Sequence, residues 1–98
     1  MGYHLEFNCL LVVPSQQIDL KNLSVGDKFT IIKEKERLYP LDIAIEICDE
    51  DYQYFGKVAV RKLTLESGAT TVDIEVLRVF SFDEAAVYTD TFIKPQPK

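Results

Sequence analysis

The feature that most constrains the fold is a stretch near the middle of the chain, residues 57–80, which predicts two long β-strands joined by a tight turn at Ser67-Gly68. Apolar residues recur at every second position in both arms, as they do on the buried face of a strand. A serine and a glycine between two such runs are typical of a two-residue hairpin loop, because glycine readily adopts a positive φ. The chain is therefore expected to be built around a β-hairpin.

The alternation changes phase within the first arm, which predicts a β-bulge. Val58 and Val60 share one parity and Leu63 has the other, so one extra residue at Arg61-Lys62 restores a continuous apolar face. The resulting pairs are Leu63 with Val72, Val60 with Ile74 and Val58 with Val76, whereas a four-residue loop would place Val60 opposite Val76. On the other face, the two bulged cations are expected near Asp73.

Length and composition indicate a single globular domain over residues 1–93. The chain has 98 residues, of which 47% are hydrophobic and 28% charged, enough to bury a core without disulfides or a metal. Residues 94–98, rich in proline and lysine, predict a disordered tail. The N-terminal residues do not resemble a signal peptide and no apolar run is long enough for a membrane helix, so a cytoplasmic location is expected.

Further alternating segments complete the predicted architecture. They lie at residues 3–13, 28–32, 41–48 and 87–93. Pro14 is expected to end the first of these strands or to place it at a sheet edge. Ser81 with Glu84 matches a capping box that begins a short helix over residues 82–86. The prediction is an all-β fold: a single, mostly antiparallel small barrel or rolled sheet of about six strands, with at most one short helix near Phe82.

The segment Leu23–Ile32 carries a resemblance. A leucine, then Gly26-Asp27, then an alternating apolar strand resembles the strand start found in SH3-like, OB-like and PUA-like small barrels. The chain is also similar to short all-β bacterial proteins of unknown function. The resemblance implies a barrel, and several of the barrel families bind RNA.

Charge disfavours nucleic acid as the partner. The net charge is −5, and the only tight group of cations, Lys33, Lys35 and Arg37, is interleaved with two glutamates. Proteins that bind phosphate backbones or anionic membranes need a positive surface. We therefore expect neither nucleic acid nor a membrane surface as the usual partner.

No residue pattern indicates catalysis or a cofactor. His4 lies on the opposite strand face from Cys9, which excludes a dyad on a regular strand. Cys9 and Cys48 lack metal-ligand spacing and predict two buried thiols, with a disulfide only if their strands are neighbours. Asp49, at the start of an acidic run, lacks the spacing of a calcium loop, so a solvated turn is expected there. No phosphate-binding glycine loop is present, so no cofactor or metal is predicted.

Two groups of residues are candidates for binding. Arg37, Tyr39, Tyr52 and Tyr54 flank the ends of the third long strand, and arginine and tyrosine are enriched where proteins contact partners. They could instead simply close the ends of a small barrel. Leu10, Val12, Leu77 and Val79 lie on strand faces that a single sheet would leave exposed, which predicts an interface.

The sequence thus favours a non-catalytic interaction module that self-associates as a homodimer. An unknown protein is the other expected partner. One alternative is a PUA-like or OB-like barrel that binds a small ligand or single-stranded RNA by stacking on its tyrosines. An enzyme is the third alternative, and it lacks a nucleophile with a base, a metal set or a cofactor loop to support it.

Overall fold

The computed structural model describes residues 6–14 and 16–93, which form a curled, half-barrel sheet with one helix on its outer face. The strands are β1 (Glu6–Phe7), β2 (Leu10–Val12), β3 (Lys28–Glu34), β4 (Arg37–Leu38), β5 (Ala44–Cys48), β6 (Tyr54–Glu66) and β7 (Ala69–Val79). A 3-10 turn covers Leu20–Asn22, and the helix α1 covers Phe82–Thr91.

The main sheet has the order β2-β5-β6-β7-β3 and is mostly antiparallel. Its strand pairs β5–β6, β6–β7 and β3–β7 are antiparallel, and β2–β5 is parallel. β1 and β4 form a separate parallel pair. This arrangement confirms the predicted fold class, a rolled and mostly antiparallel sheet with one short helix beginning at Phe82.

The central hairpin has the predicted loop and the predicted register. Ser67 has φ 41° and Gly68 has φ 83°, the pair of positive values that a two-residue hairpin turn of type I′ requires. Leu63 pairs with Val72, Val60 with Ile74 and Val58 with Val76. The four-residue loop is thereby excluded.

The predicted bulge is present at Arg61, since Val60 and Lys62 pair with the consecutive residues Ile74 and Asp73. The charge partners differ from the prediction. Arg61 bonds to Asp42 at 2.8 Å and to Glu75 at 3.3 Å, while only Lys62 stands opposite Asp73 in the ladder. The extra residue turns the arginine toward the loop before β5 rather than toward Asp73.

A second bulge, at Leu77, was not predicted. Lys57 pairs with Arg78 and Val58 with Val76, so Leu77 has no partner across the ladder. At this point the backbones of β6 and β7 approach closely: a Cβ added to Gly56 would lie 2.1 Å from the carbonyl oxygen of Arg78. Glycine is therefore required at position 56 by the close approach of β7.

The predicted first strand, residues 3–13, is interrupted, and its first residues, Tyr3 to Leu5, lie outside the described part of the chain. β1 pairs with β4, and after a break at Asn8-Cys9 β2 pairs with β5. The strand is broken because its two halves pair with different strands. The predicted end before Pro14 is confirmed, since β2 ends at Val12.

The predicted third long strand begins three residues late. Leu41 forms only an isolated bridge to Val60, Asp42 has φ 59°, and the regular strand runs over Ala44–Cys48. Ile45 and Ile47 are buried as the alternation predicts. Cys48 is also buried but Cys9 is exposed, so the prediction of two buried thiols is wrong for Cys9; both cysteines are free.

The predicted last strand, residues 87–93, is wrong, because α1 continues to Thr91. The capping box at its start is confirmed: Ser81 Oγ accepts the amide of Glu84 at 3.2 Å, and Glu84 Oε1 accepts the amide of Ser81 at 3.0 Å. Tyr88 and Phe92 project from one side of α1 onto rings of the sheet. This packing stabilises the helix rather than a strand over these residues. The predicted tail, residues 94–98, lies outside the described residues.

The two faces of the sheet have different cores. The inner, concave face holds an aliphatic core of side chains that are at most 2% exposed: Leu11, Ile31, Ile47, Val58, Val60, Val72, Ile74 and Val76. The outer face carries a smaller cluster built on Cys48, Tyr54 and Phe80, which α1 covers. Leu10 and Val12 pack against this same cluster.

Candidate interaction site between the helix and the sheet

The helix is attached to the sheet by stacked aromatic rings. The ring of Tyr88 lies parallel to that of Phe80, with centroids 4.6 Å apart, and Tyr52 stacks on Phe92 at the same separation. Tyr54 lies between the two stacks, 5.6 Å from Tyr88 and 5.8 Å from Phe92. Such pairs contribute about 0.5–1.5 kcal/mol each beyond the area they bury. Ring stacking therefore fixes the position of α1.

The four residues predicted to bind a ligand are not brought together. Tyr52 and Tyr54 belong to the stack under α1, whereas Tyr39 is buried in the inner core at 4% exposure. The backbone amide of Arg37 donates to Thr70 Oγ1, and its Nε donates to the carbonyl of Glu34. Binding of a base or ligand by Tyr39 or Tyr54 would require these rings to leave their present packing.

The predicted interface residues also separate into two groups. Leu10 and Val12 are partly buried against the outer-face cluster, and Leu77 is partly buried at the second bulge. Val79 is 37% exposed and lies on the rim of a groove beside α1. The homodimer interface stays a prediction, and Val79 is the member of the set that the fold presents most openly.

This groove is a concave, mostly apolar surface beside the helix. It has a volume of about 420 Å³ and lies between α1, the facing ends of β6 and β7 and the 3-10 turn. Its apolar walls are formed by Leu20, Tyr54, Phe55, Val79, Phe80, Phe82, Ala85 and Ala86. Phe82, the first residue of α1, is 89% exposed at its margin. An exposed aromatic ring beside an apolar concavity is typical of a contact surface.

The electrostatics of the groove suit association rather than chemistry. Lys21 and Asp90, both exposed, lie among its lining residues, so the groove carries one charge of each sign. Arg78 forms an ion pair with Glu84 close to the helix start. The amide of Ser81 and the Arg78 guanidinium lower the pKa of Glu84. The Glu84 carboxylate is held as an anion, so it is poorly suited to act as a general acid.

The buried thiol and phenol near the groove are unreactive at neutral pH. Burial, with a further contribution from Asp49, raises the pKa of Cys48 to about 12. Burial first, then the neighbouring Cys48, Glu46 and Tyr52, raises the pKa of Tyr54 to about 12. A thiol with a raised pKa is not a nucleophile, because the thiolate is the reactive form.

The acidic turn and the remaining carboxylates provide no metal site in the described part of the chain. Asp49 Oδ1 accepts the amides of Asp51 and Gln53, so this carboxylate organises the turn before β6. Over residues 6–14 and 16–93 no three His, Cys, Asp or Glu side chains come together as metal ligands. His4 lies outside the described residues. None of the helices within these ranges is long and apolar enough to cross a membrane.

Sequence reasoning missed two features of the candidate binding surfaces. Phe82 was predicted only as part of a helix start, and its exposure beside a groove depends on how α1 packs. Gln17, in a polar connection, bonds to the backbone of β3. An aromatic residue directly after a capping serine could have signalled the first feature, because a helix start is commonly solvent-exposed.

Comparison with known proteins gives a family and a solved relative. The model of a family described as "Domain of unknown function (DUF2584)" matches residues 1–83. The crystal structure of protein ytmB from Bacillus subtilis, a structural genomics target, is 27% identical and superposes with a TM-score of 0.69. That match covers 84% of this chain and 98% of ytmB. No curated protein matches significantly. The family match ends two residues into α1, and because it spans most of the chain, the chain belongs to the DUF2584 family.

Proposed function

We propose that this chain is a non-catalytic interaction domain that self-associates through the groove beside α1. The observation that carries the proposal is Phe82, an aromatic side chain 89% exposed at the margin of an apolar groove of about 420 Å³. Single exposed apolar side chains are common, but an exposed aromatic ring that adjoins an apolar concavity extends it into a continuous apolar surface, and such surfaces mark interaction sites. Burying such a ring in a second molecule would remove most of its apolar surface from water.

A two-fold dimer suits this surface because the protruding group and the groove lie on the same face. In an isologous interface, residue i of one protomer contacts residue j of the other, and j contacts i. Phe82 of each copy would enter the groove of its partner, next to Val79 and Ala86. Tyrosine, phenylalanine and other aromatic anchors seated in pockets are the usual centres of binding energy.

The charges near the groove are compatible with the same arrangement. Lys21 and Asp90 give it one cation and one anion, so two copies related by a two-fold axis can place opposite charges together. The net charge of −5 on each copy opposes association at long range. Because salt screens that repulsion, the dimer should strengthen as ionic strength rises. This behaviour is opposite to that of a complex held by long-range charge attraction.

The test is sedimentation equilibrium of the full chain from low micromolar to millimolar concentration. The variant Phe82→Ser removes the ring, and Val87→Ser is its matched control, since Val87 is an exposed apolar residue of the same helix that does not line the groove. The proposal expects a dimer whose dissociation constant rises at least about tenfold in Phe82→Ser and stays unchanged in Val87→Ser. Denaturation curves of both variants verify that they fold.

Two results would contradict the proposal. One is a wild-type chain that remains monomeric at millimolar concentration. The other is an equal loss of association in the two serine variants, which would place the contact away from the groove.

A further inference from the structure

The two outer strands of the sheet, β2 and β3, face each other across an open seam. The strand order ends with β2 on one side and β3 on the other, and the sheet is curled. The ammonium group of Lys33 in β3 donates to the carbonyl of Val12 in β2. One lysine side chain therefore spans the seam, and the half-barrel is closed there by side chains instead of a strand ladder.

Gln17 occupies the edge of β3 as a neighbouring strand would. The amide of Ile32 donates to Gln17 Oε1 at 2.9 Å, and Gln17 Nε2 donates to the carbonyl of Ile32 at 2.9 Å. This reciprocal pair is the pattern that two residues exchange in an antiparallel ladder. A second side chain bonds to this edge: Arg37 Nε donates a hydrogen bond to the carbonyl oxygen of Glu34 at 2.9 Å.

These bonds define which backbone groups of β3 point away from β7. In a strand the amide and carbonyl of one residue point to the same side, and the side alternates along the chain. Because Ile32 points outward, Thr30 and Glu34 also point outward. The outward row is the hydrogen-bonding edge that an added strand would use.

A groove of about 390 Å³ runs along this edge. It is lined by Pro14, Gln17, Ile32, Lys33, Glu34 and Arg37, and it shares no lining residue with the groove beside α1. The side chain of Ile32 is 61% exposed within it. A strand laid along β3 would meet backbone partners at Ile32 and an apolar contact from its side chain.

The charge of this edge indicates the chemistry of the partner. Residues 28–37 hold four cations, Lys28, Lys33, Lys35 and Arg37, and two carboxylates, so this segment is positive in a chain whose net charge is −5. An extended segment that carries carboxylates on alternate residues would meet opposite charge here, whereas a second copy that paired through its own β3 edge would bring like charges together.

We propose that the edge of β3 accepts an extended acidic segment of a partner protein as an additional strand, which displaces the side chain of Gln17. This is recognition by strand addition, in which main-chain hydrogen bonds provide affinity and alternate side chains provide specificity. Gln17 both protects the edge from indiscriminate pairing and holds the backbone groups of Ile32 in a bonded geometry until the segment arrives.

The test is an NMR titration of the labelled full chain with three blocked hexapeptides. One alternates glutamate and valine, the second alternates lysine and valine, and the third is the glutamate peptide with alternate backbone amides methylated. The proposal expects saturable shifts of the amides of Thr30, Ile32 and Glu34 with the first peptide only. Methylation removes the donors that a ladder needs, and the lysine peptide reverses the charge.

Variants of two adjacent glutamines sharpen the test. Gln17→Ala removes the competing side chain and should tighten binding of the glutamate peptide about two- to tenfold, the equivalent of one net hydrogen bond. Gln16→Ala, a change at the exposed neighbouring residue, is the matched control and should leave binding unchanged. The titration is repeated with the Phe82→Ser variant, so that a failure of this proposal can be distinguished from a failure of the proposed function.

The proposal is overturned if the glutamate peptide causes no shift, if the methylated peptide binds equally well, or if Gln17→Ala weakens binding. If the chemical shifts of the β3 amides change when the protein alone is diluted, a second copy of the chain occupies the edge. This result would also overturn the proposal of an acidic partner.

Discussion

The two faces of the sheet are covered by different means. The curled sheet closes its own inner face with aliphatic side chains such as Val60 and Ile74, which are at most 2% exposed. The outer face depends on α1, a ten-residue helix in which no residue is fully buried and which is held by stacked rings. Elements with few buried contacts open at lower free energy than the core does. The inner face therefore determines the stability of the domain, and the outer face is the more adaptable of the two.

The largest effect of a single substitution should come from breaking the inner face. Ile74→Ala removes a side chain at the centre of the sheet, opposite Val60, and should lower the free energy of unfolding by about 2–5 kcal/mol. Val87→Ala, a change at an exposed position of α1, should alter it by less than about 0.5 kcal/mol. Urea denaturation of the two variants measures the difference. Equal losses would contradict the claim that burial in the inner core determines the stability.

The second effect appears at alkaline pH and belongs to the outer face. Burial raises the pKa of Cys48 from 9.0 to about 12 and that of Tyr54 from 10.0 to about 12. Because the unfolded chain loses these protons first, stability that is present below pH 9 should be lost as the pH rises toward 12, by up to about 1.4 kcal/mol per pH unit for each group. Tyr54→Phe removes the phenol's share, and urea midpoints across this range should then fall less steeply.

A slope that is identical in Tyr54→Phe and the wild-type chain would contradict this assignment. Denaturation curves at neutral pH serve as the reference, because neither group is expected to titrate there.

The smallest effect should separate the two faces most clearly. Ser81→Ala removes the side chain that caps α1 and should cost about 0.5–2 kcal/mol of helix stability. Hydrogen exchange should then speed up for the amides of α1 and stay unchanged for the paired amides of β6 and β7. A uniform loss of protection across the hairpin would mean that helix and sheet unfold as one unit.

The same comparison explains what the sequence could and could not predict. The hairpin, with its bulge at Arg61 and its register, was predicted correctly because its pairs are close in sequence and obey one parity rule. The stretch from Val87 to Ile93 was predicted as a strand because Val87, Thr89 and Thr91 alternate and are β-branched. Its true conformation depends on Tyr88 meeting Phe80 and Tyr54. Tertiary packing therefore overrode local preference.

The candidate sites show the same limit. Alternation predicts that Val79 lies on a face that a single sheet would leave exposed, but only the path of α1 makes Phe82 a neighbour of that residue. Likewise, the bonds of Gln17 to Ile32 join residues from a connection and a strand, for which no periodic pattern exists. Of the tyrosines predicted to bind a ligand, Tyr39 and Tyr54 are buried in the two cores and Tyr52 packs against one of them, and the sequence does not show which rings the fold covers. Ligand binding by these residues stays a prediction.

The most direct test of the account is an isotope-filtered NOE experiment on a mixture of labelled and unlabelled chains at millimolar concentration. Self-association through the outer face predicts intermolecular contacts from the ring of Phe82 to the methyl groups of Val79, Ala85 and Ala86, and none to the inner aliphatic core. Absence of every intermolecular contact from Phe82, or contacts confined to another surface, would contradict the claim that the groove beside α1 is where this domain binds its own copy.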